Sequence, residues 1–158
     1  MQSESARMSS AAEARFRVQA PNSTPRAIKV IALDAAAEAA IRRLARTGWA
    51  HATFFTAKSP DDALSDLAGA HCHTDDEVDS ADLVVLIAGP GGRAYAATLI
   101  GEACSARRVM TTGFVVDALG ASDRELSKTL AQLRPWSLMV VIANSDEYLD
   151  DMMTALRA

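Results

Sequence analysis

The stretch that decides the fold is IKVIALDAAAEAAIRRLARTG, which runs from Ile28 to Gly48. It begins with an apolar run typical of a buried strand, and a short turn then leads into apolar residues at helical spacing. Arginines lie between these apolar positions, and Gly48 ends the predicted helix. This is the layout of a nucleotide-binding βα unit, but the turn from Leu33 to Glu38 contains no glycine.

Composition limits the class of protein. The chain has 158 residues, enough for one domain with a sizeable core. Its net charge of −4 gives no support for a nucleic-acid partner. Cys72 and Cys104 form no disulfide framework and fit a reducing compartment. Because the sequence shows no apolar run of membrane-spanning length and no signal-peptide core, we expect a cytoplasmic protein without membrane insertion.

Two segments are expected along the chain. Residues 1–26 are rich in Ser, Ala and Arg and include two prolines, which predicts a flexible N-terminal tail. Residues 27–158 are predicted to form a single α/β domain. Apolar runs alternate there with helical patterns, which indicates right-handed crossovers between parallel strands.

The predicted strands are 27–33, 51–57, 81–89, 108–116 and 137–143, with 70–73 as a short edge strand. The predicted helices include 59–69, opened by a Ser59 cap and Pro60, and further helices start near Gly92, at Ser122 and at a Ser145 cap. We therefore predict a three-layer, Rossmann-like, doubly wound fold with a mainly parallel sheet of five to six strands.

In such a fold, ligands bind at the turns beyond the carboxyl ends of the strands. The turn after the first strand does not suit phosphate, because alanine methyl groups occupy the space that phosphate oxygens need. We expect the carboxylate of Asp34 to cap the helix by accepting the N–H bonds that a phosphate would take. Glu38, one turn later, adds negative charge. The stretch predicts a capped packing helix.

The second turn is AGPGGRAYAA, from Ala88 to Ala97. Gly89, Gly91 and Gly92 permit close backbone approach, and Arg93 could meet an anion. Pro90 removes one N–H donor. Two interpretations stay open here, an anion-binding loop or a sharp turn without a ligand.

Four segments carry a family resemblance: IKVI at 28–31, GGRAYAA at 91–97, TTGFVV at 111–116 and MVVIANSDEYL at 139–149. In this order and spacing, over about residues 27–149, they resemble the GTP-binding domain of the bacterial tubulin homologue FtsZ. The resemblance implies a sheet order like 3-2-1-4-5-6 and a nucleotide contact at Asn144. An ordinary turn residue is the alternative for Asn144.

The chain departs from that family in the residues that bind and hydrolyse GTP. The family's polyglycine turn is replaced by Asp34 to Glu38, and the glycine signature loop is shortened to Gly89–Arg93. The second domain and its acidic synergy loop are not found in the sequence. What the resemblance implies is a degenerate, stand-alone FtsZ-like domain without GTPase activity.

The stretch HCHTDDEVD, at 71–79, is a candidate metal site. On a strand His71 and His73 point to one face, and Asp75 could complete a set of three ligands. An exposed polar edge strand with an acidic loop is the alternative.

Three hypotheses of function follow. The first is a non-catalytic protein-binding or assembly module, acting with a protein partner or as a homodimer. The second is an enzyme or sensor that binds a small phosphorylated or anionic ligand, GTP and GDP included, at Gly89, Gly91, Gly92, Arg93 and Asn144. The third is a metal-binding protein through His71, His73 and Asp75. We expect no resident cofactor.

Overall fold

The computed structural model describes residues 26–57 and 63–158. Residues 1–25 of the predicted tail lie outside these ranges, and so do the predicted Ser59 cap and Pro60.

The described residues form seven strands and five α-helices. The strands are β1 (Ile28–Ala32), β2 (Ala52–Thr56), β3 (Ala63–Asp66), β4 (His71–His73), β5 (Leu83–Ala88), β6 (Met110–Val115) and β7 (Met139–Ile142). The helices are α1 (Ala35–Leu44), α2 (Thr74–Asp79), α3 (Ala96–Arg107), α4 (Asp123–Leu133) and α5 (Glu147–Leu156), and a short 3-10 helix, Ala45–Thr47, follows α1. Among these described helices, none is long and apolar enough to cross a membrane.

The strands form one sheet in the order β4-β3-β2-β1-β5-β6-β7. Five adjacent strands are parallel to one another: β2, β1, β5, β6 and β7. Strand β3 is antiparallel to both of its neighbours, β2 and β4. From β1 the next strands in the chain, β2 to β4, are added on one side of the sheet. From β5 the next strands, β6 and β7, are added on the other side, so the direction in which strands are added reverses between β1 and β5. The predicted Rossmann-like α/β fold is confirmed.

The predicted helix over 59–69 is wrong where the structure describes it, because Ala63–Asp66 form strand β3. The strand pairs with β2 and β4, and it buries Leu64 against the core. The carboxylate of Asp66 accepts the N–H groups of Ala68 and Ala70, which turns the chain back into β4. The six predicted strands keep their predicted order, and β3 is inserted between two of them.

Three further boundaries differ from prediction. Residues 74–79 form helix α2 and not an acidic loop. Helix α3 begins at Ala96, because the residues from Gly91 to Ala94 form a loop bound to α4. Ser145 does not cap α5, whose N-cap position is Asp146 without a side-chain cap bond.

Helices cover both faces of the sheet. On one face α2, α3 and α4 pack on a core that includes Leu86, Ile100 and Leu133. On the other face α1 and α5 pack on a core that includes Ile41 and Ile87. Every residue of β5 is buried, because this strand lies at the centre of the sheet with helices above and below it.

Gly101 of α3 provides a test of the packing on the first face. A Cβ at this position would lie 2.3 Å from Cγ of Trp136. Alanine normally stabilises a helix relative to glycine by about 1 kcal/mol. Here we expect Gly101→Ala to lower the free energy of unfolding by about 1–3 kcal/mol, because the indole has to move.

Urea denaturation measures this change. Ser105→Ala, an exposed substitution on the same helix, is the control and should change the free energy by less than about 0.5 kcal/mol. A Gly101→Ala protein that is more stable than the wild type would contradict the expected contact.

Candidate functional site

The two candidate turns meet at the carboxyl ends of neighbouring strands, where Asp34 follows β1 and Gly89 follows β5. One oxygen of the Asp34 carboxylate accepts the N–H of Ala37 at 2.9 Å. The other accepts the N–H of Gly89 at 2.7 Å. The predicted helix cap is confirmed, and the same side chain also binds the second turn, which sequence reasoning missed.

The glycines of the second turn make room for this carboxylate. A Cβ at Gly92 would lie 2.3 Å from Oδ2 of Asp34. A Cβ at Gly89 would lie 2.7 Å from Cβ of Ala36 in α1. Both positions therefore require glycine for the close approach of the protein to itself, whether or not a ligand binds.

Side chains of helix α4 form hydrogen bonds with further polar groups of the turn. The buried hydroxyl of Thr129 accepts the N–H of Gly91 and donates to the carbonyl of Gly89, both at 2.9 Å. The side-chain oxygen of Gln132 accepts the N–H of Ala94 at 2.7 Å. The turn is therefore held by side chains of α4, and its N–H groups at these positions already have partners.

Sequence reasoning missed Thr129 and Gln132. Lys128 of the same helix also binds the turn, through the carbonyl of Gly91 at 3.2 Å. The available signal was a set of polar residues at helical spacing beside the core position Leu133. That pattern is also typical of a solvated helix face, so the sequence offers no means of choosing between the two.

An open cleft of about 450 Å³ lies beside the start of α1. It is lined by Ala32, Leu33, Asp34, Ala35, Glu38, Thr56, Ala57 and Arg93. The exposed Arg93 provides a positive charge, but Asp34 and Glu38 line the same cleft. Glu38 is paired with Arg42 at 2.8 Å, so a phosphate group entering the cleft would meet chiefly the opposing charges of Asp34 and Arg93.

Asn144 lies apart from the glycine turn. It is exposed and follows β7, and β6 separates β7 from β5. Two strand spacings correspond to about 10 Å. Of the five predicted ligand-binding residues Arg93 lines this cleft, whereas Asn144 and the three glycines are not among its lining residues.

The candidate metal residues lie at the far edge of the sheet. His71 and His73 are exposed on β4, and the carboxylate of Asp75 pairs with Arg107 at 3.1 Å. In the part of the chain that the structure describes, no group of three His, Cys, Asp or Glu side chains could hold a metal ion. Arg107 of α3 donates to Asp79 and pairs with Asp75, both in α2, so these side chains join the two helices. The hydrogen bond to Asp79 and the charge of Asp75 raise the pKa of the guanidinium.

Neither thiol has the features of a nucleophile. Burial raises the pKa of Cys104, which lies inside the core. Burial and the charge of Glu77 raise the pKa of Cys72. A raised pKa keeps each thiol protonated at neutral pH, whereas catalytic cysteines need the thiolate.

No protein-family model matches the chain, and no curated protein matches it. The resemblance to FtsZ therefore stays a prediction from the residues, and the function has to be inferred from the geometry.

Asp34→Ala tests the double role of this carboxylate. We expect the free energy of unfolding to fall by about 2–4 kcal/mol, because the helix cap is lost and the N–H of Gly89 loses a charged partner. The free energy of unfolding of Asp34→Asn should lie between those of the wild type and Asp34→Ala, since its amide has one acceptor oxygen in place of two. Urea denaturation measures the change, and Glu102→Ala on the exposed side of α3 is the control. A loss no larger than that of Glu102→Ala would refute the double role.

A double-mutant cycle tests the contact between Asp34 and Gly92. Gly92→Ala alone should cost about 1–3 kcal/mol, because its methyl group meets the carboxylate. In the Asp34→Ala background the cost should be smaller, since the two nearest atoms, Oδ2 and Cγ, are gone. Additive costs in the cycle would show that the two residues do not interact.

Proposed function

We propose that this protein is a non-catalytic binding or assembly module built on a nucleotide-domain scaffold. The observation that carries the proposal is the Asp34 carboxylate, which accepts an N–H from each of the two candidate phosphate turns. A scaffold whose ligand-binding turns are bound by its own side chains is suited to act through its surface.

Phosphate binding at a helix start depends on free N–H groups and on the positive end of the helix dipole. At α1 both features are used by Asp34. A phosphate would have to displace this carboxylate and then lie close to its negative charge. Binding would thus lose two hydrogen bonds and gain charge repulsion, which supports a role without nucleotide turnover.

The surface supports a role in protein contacts. The described residues expose seven large apolar side chains: Tyr95, Met110, Leu119, Leu138, Met139, Ile142 and Tyr148. Apolar side chains that lie close together on a surface are typical of protein-binding sites.

A thermal-shift assay of the full chain with GTP, GDP and ATP, each with Mg²⁺, tests the proposal. We expect no change in the melting temperature at millimolar nucleotide, because a ligand that does not bind the folded state cannot stabilise it. Saturable stabilisation by a nucleotide would overturn the proposal.

A small anionic ligand is the second candidate, because the exposed Arg93 lines the 450 Å³ cleft. Arg93→Ser separates this candidate from an effect elsewhere on the protein. Stabilisation by a phosphorylated compound that disappears in Arg93→Ser would favour the second candidate. The matched control is Arg46→Ser, which removes an exposed arginine after α1 that does not line the cleft.

A further inference from the structure

We propose that the outer edge of β7 pairs with β7 of a second copy of this chain, so that the two sheets continue into one. The pairing is antiparallel and has twofold symmetry. This inference rests on the proposed assembly function and names its partner.

The edge strand β7 is four residues long and has neither a charged residue nor a proline. Residues 135–145 include no Asp, Glu, Lys or Arg. Within the described part of the chain β7 pairs with β6 alone, so alternate backbone N–H and C=O groups face outward. Natural edge strands are usually protected by charges, by proline within the strand or by bulges. The proline here, Pro135, precedes the strand.

The opposite edge of the sheet shows the contrast. There β4 has three residues, and the exposed side chains His71 and His73 are polar. An edge with polar side chains makes a poorer template for pairing than an apolar one. The two edges therefore differ, and pairing through β7 gives a closed dimer and not a continuing fibre.

Exposed apolar side chains concentrate on the β7 side. Three of the seven, Leu138, Met139 and Ile142, belong to β7 or directly precede it, and Met110 lines a shallow depression together with Leu138. Leu138 is 78 % exposed, Met139 50 % and Ile142 47 %. Burying such side chains against a second copy removes apolar surface from water, which favours association.

The twofold axis determines which residues meet. An axis perpendicular to the sheet keeps each face on its own side, so paired residues must point to the same face. Pairing centred on Val140 meets this condition and places Leu138 of one copy opposite Ile142 of the other. The exposed side chains of Ile142 and of Leu138, the residue before β7, are then buried together. The N–H of Leu138 already donates to the carbonyl of Thr111 at 2.9 Å, so this contact is made by side chains.

Charges on α4 fit the same arrangement. Leu133 and Leu126 of α4 lie in the same core cluster as Val140, so this helix covers β7. The helix begins with the exposed Asp123, Arg124 and Glu125, which together carry a net charge of about −1, and it is followed by the exposed Arg134. In the antiparallel dimer the start of one α4 lies beside the end of the other, which brings unlike charges together. Such complementarity matters for two copies that each have a net charge of −4.

The first experiment measures the mass of the full chain by sedimentation across a range of concentrations. We expect a dimer of the 16.8 kDa chain, and Met139→Lys should weaken dimerisation by roughly tenfold or more by placing a charge in the paired edge. Tyr95→Lys, which changes an exposed apolar residue outside this edge, should leave the dimer intact. An unchanged far-ultraviolet spectrum and melting temperature at low concentration check that each variant folds.

Cysteine substitutions then test the register. Val140→Cys lies on the proposed axis, so two copies should form a disulfide under mild oxidation. Leu138→Cys alone should not, because its counterpart lies four residues away along the paired strand. The double variant Leu138→Cys, Ile142→Cys should form two, one on each side of the axis. Cross-linking by Leu138→Cys alone, with none by Val140→Cys, would overturn the register.

A wild-type chain that stays monomeric at all concentrations would overturn the dimer. That result leaves the proposed non-catalytic role standing, because the nucleotide assay tests that role separately. Conversely, nucleotide-dependent stabilisation of a β7-paired dimer would overturn the non-catalytic role and leave the dimer in place.

Discussion

The carboxylate of Asp34 makes the interaction on which the arrangement of the strand ends depends. It binds the first turn of α1 and the turn after β5 at once. Helix α1 packs on one face of the sheet, and the turn after β5 leads to α3 on the other. One side chain therefore connects the two helical layers at the point where the strand order reverses, which is where other folds of this type bind ligands.

This interaction gives a structural reason for the glycines in the turn after β5. A glycine-rich turn after a buried strand is typical of phosphate binding, because the backbone has to come close to the ligand. In this protein the backbone comes close to Asp34 and to Ala36. Close approach to a phosphate and close approach to another part of the chain both require a residue without Cβ. The glycine pattern therefore predicts close approach of the backbone but does not identify the group that it approaches.

The two edges of the sheet differ in the side chains that they expose. The side of β4 is short and polar, and Arg107 with Asp75 and Asp79 ties its neighbouring helices together. Residues 135–145, which include β7, carry no charged side chain, and Leu138, Met139 and Ile142 are exposed. The two candidate turns are bound internally, and the β7 edge is the surface that we propose for contact with a second copy.

The sequence by itself determined every strand except β3, the alternation with helices and the cap at Asp34, because these depend on local periodicity and on chemistry within a few residues. Tertiary structure alone decided that Ala63–Asp66 form a strand and that Gly89 donates to Asp34. It also decided that Thr129 binds the glycine turn and that β6 lies between the strands that precede Gly89 and Asn144. Each of these depends on the pairing and packing of segments distant in the chain, and those distances are set by the sheet and not by the local pattern.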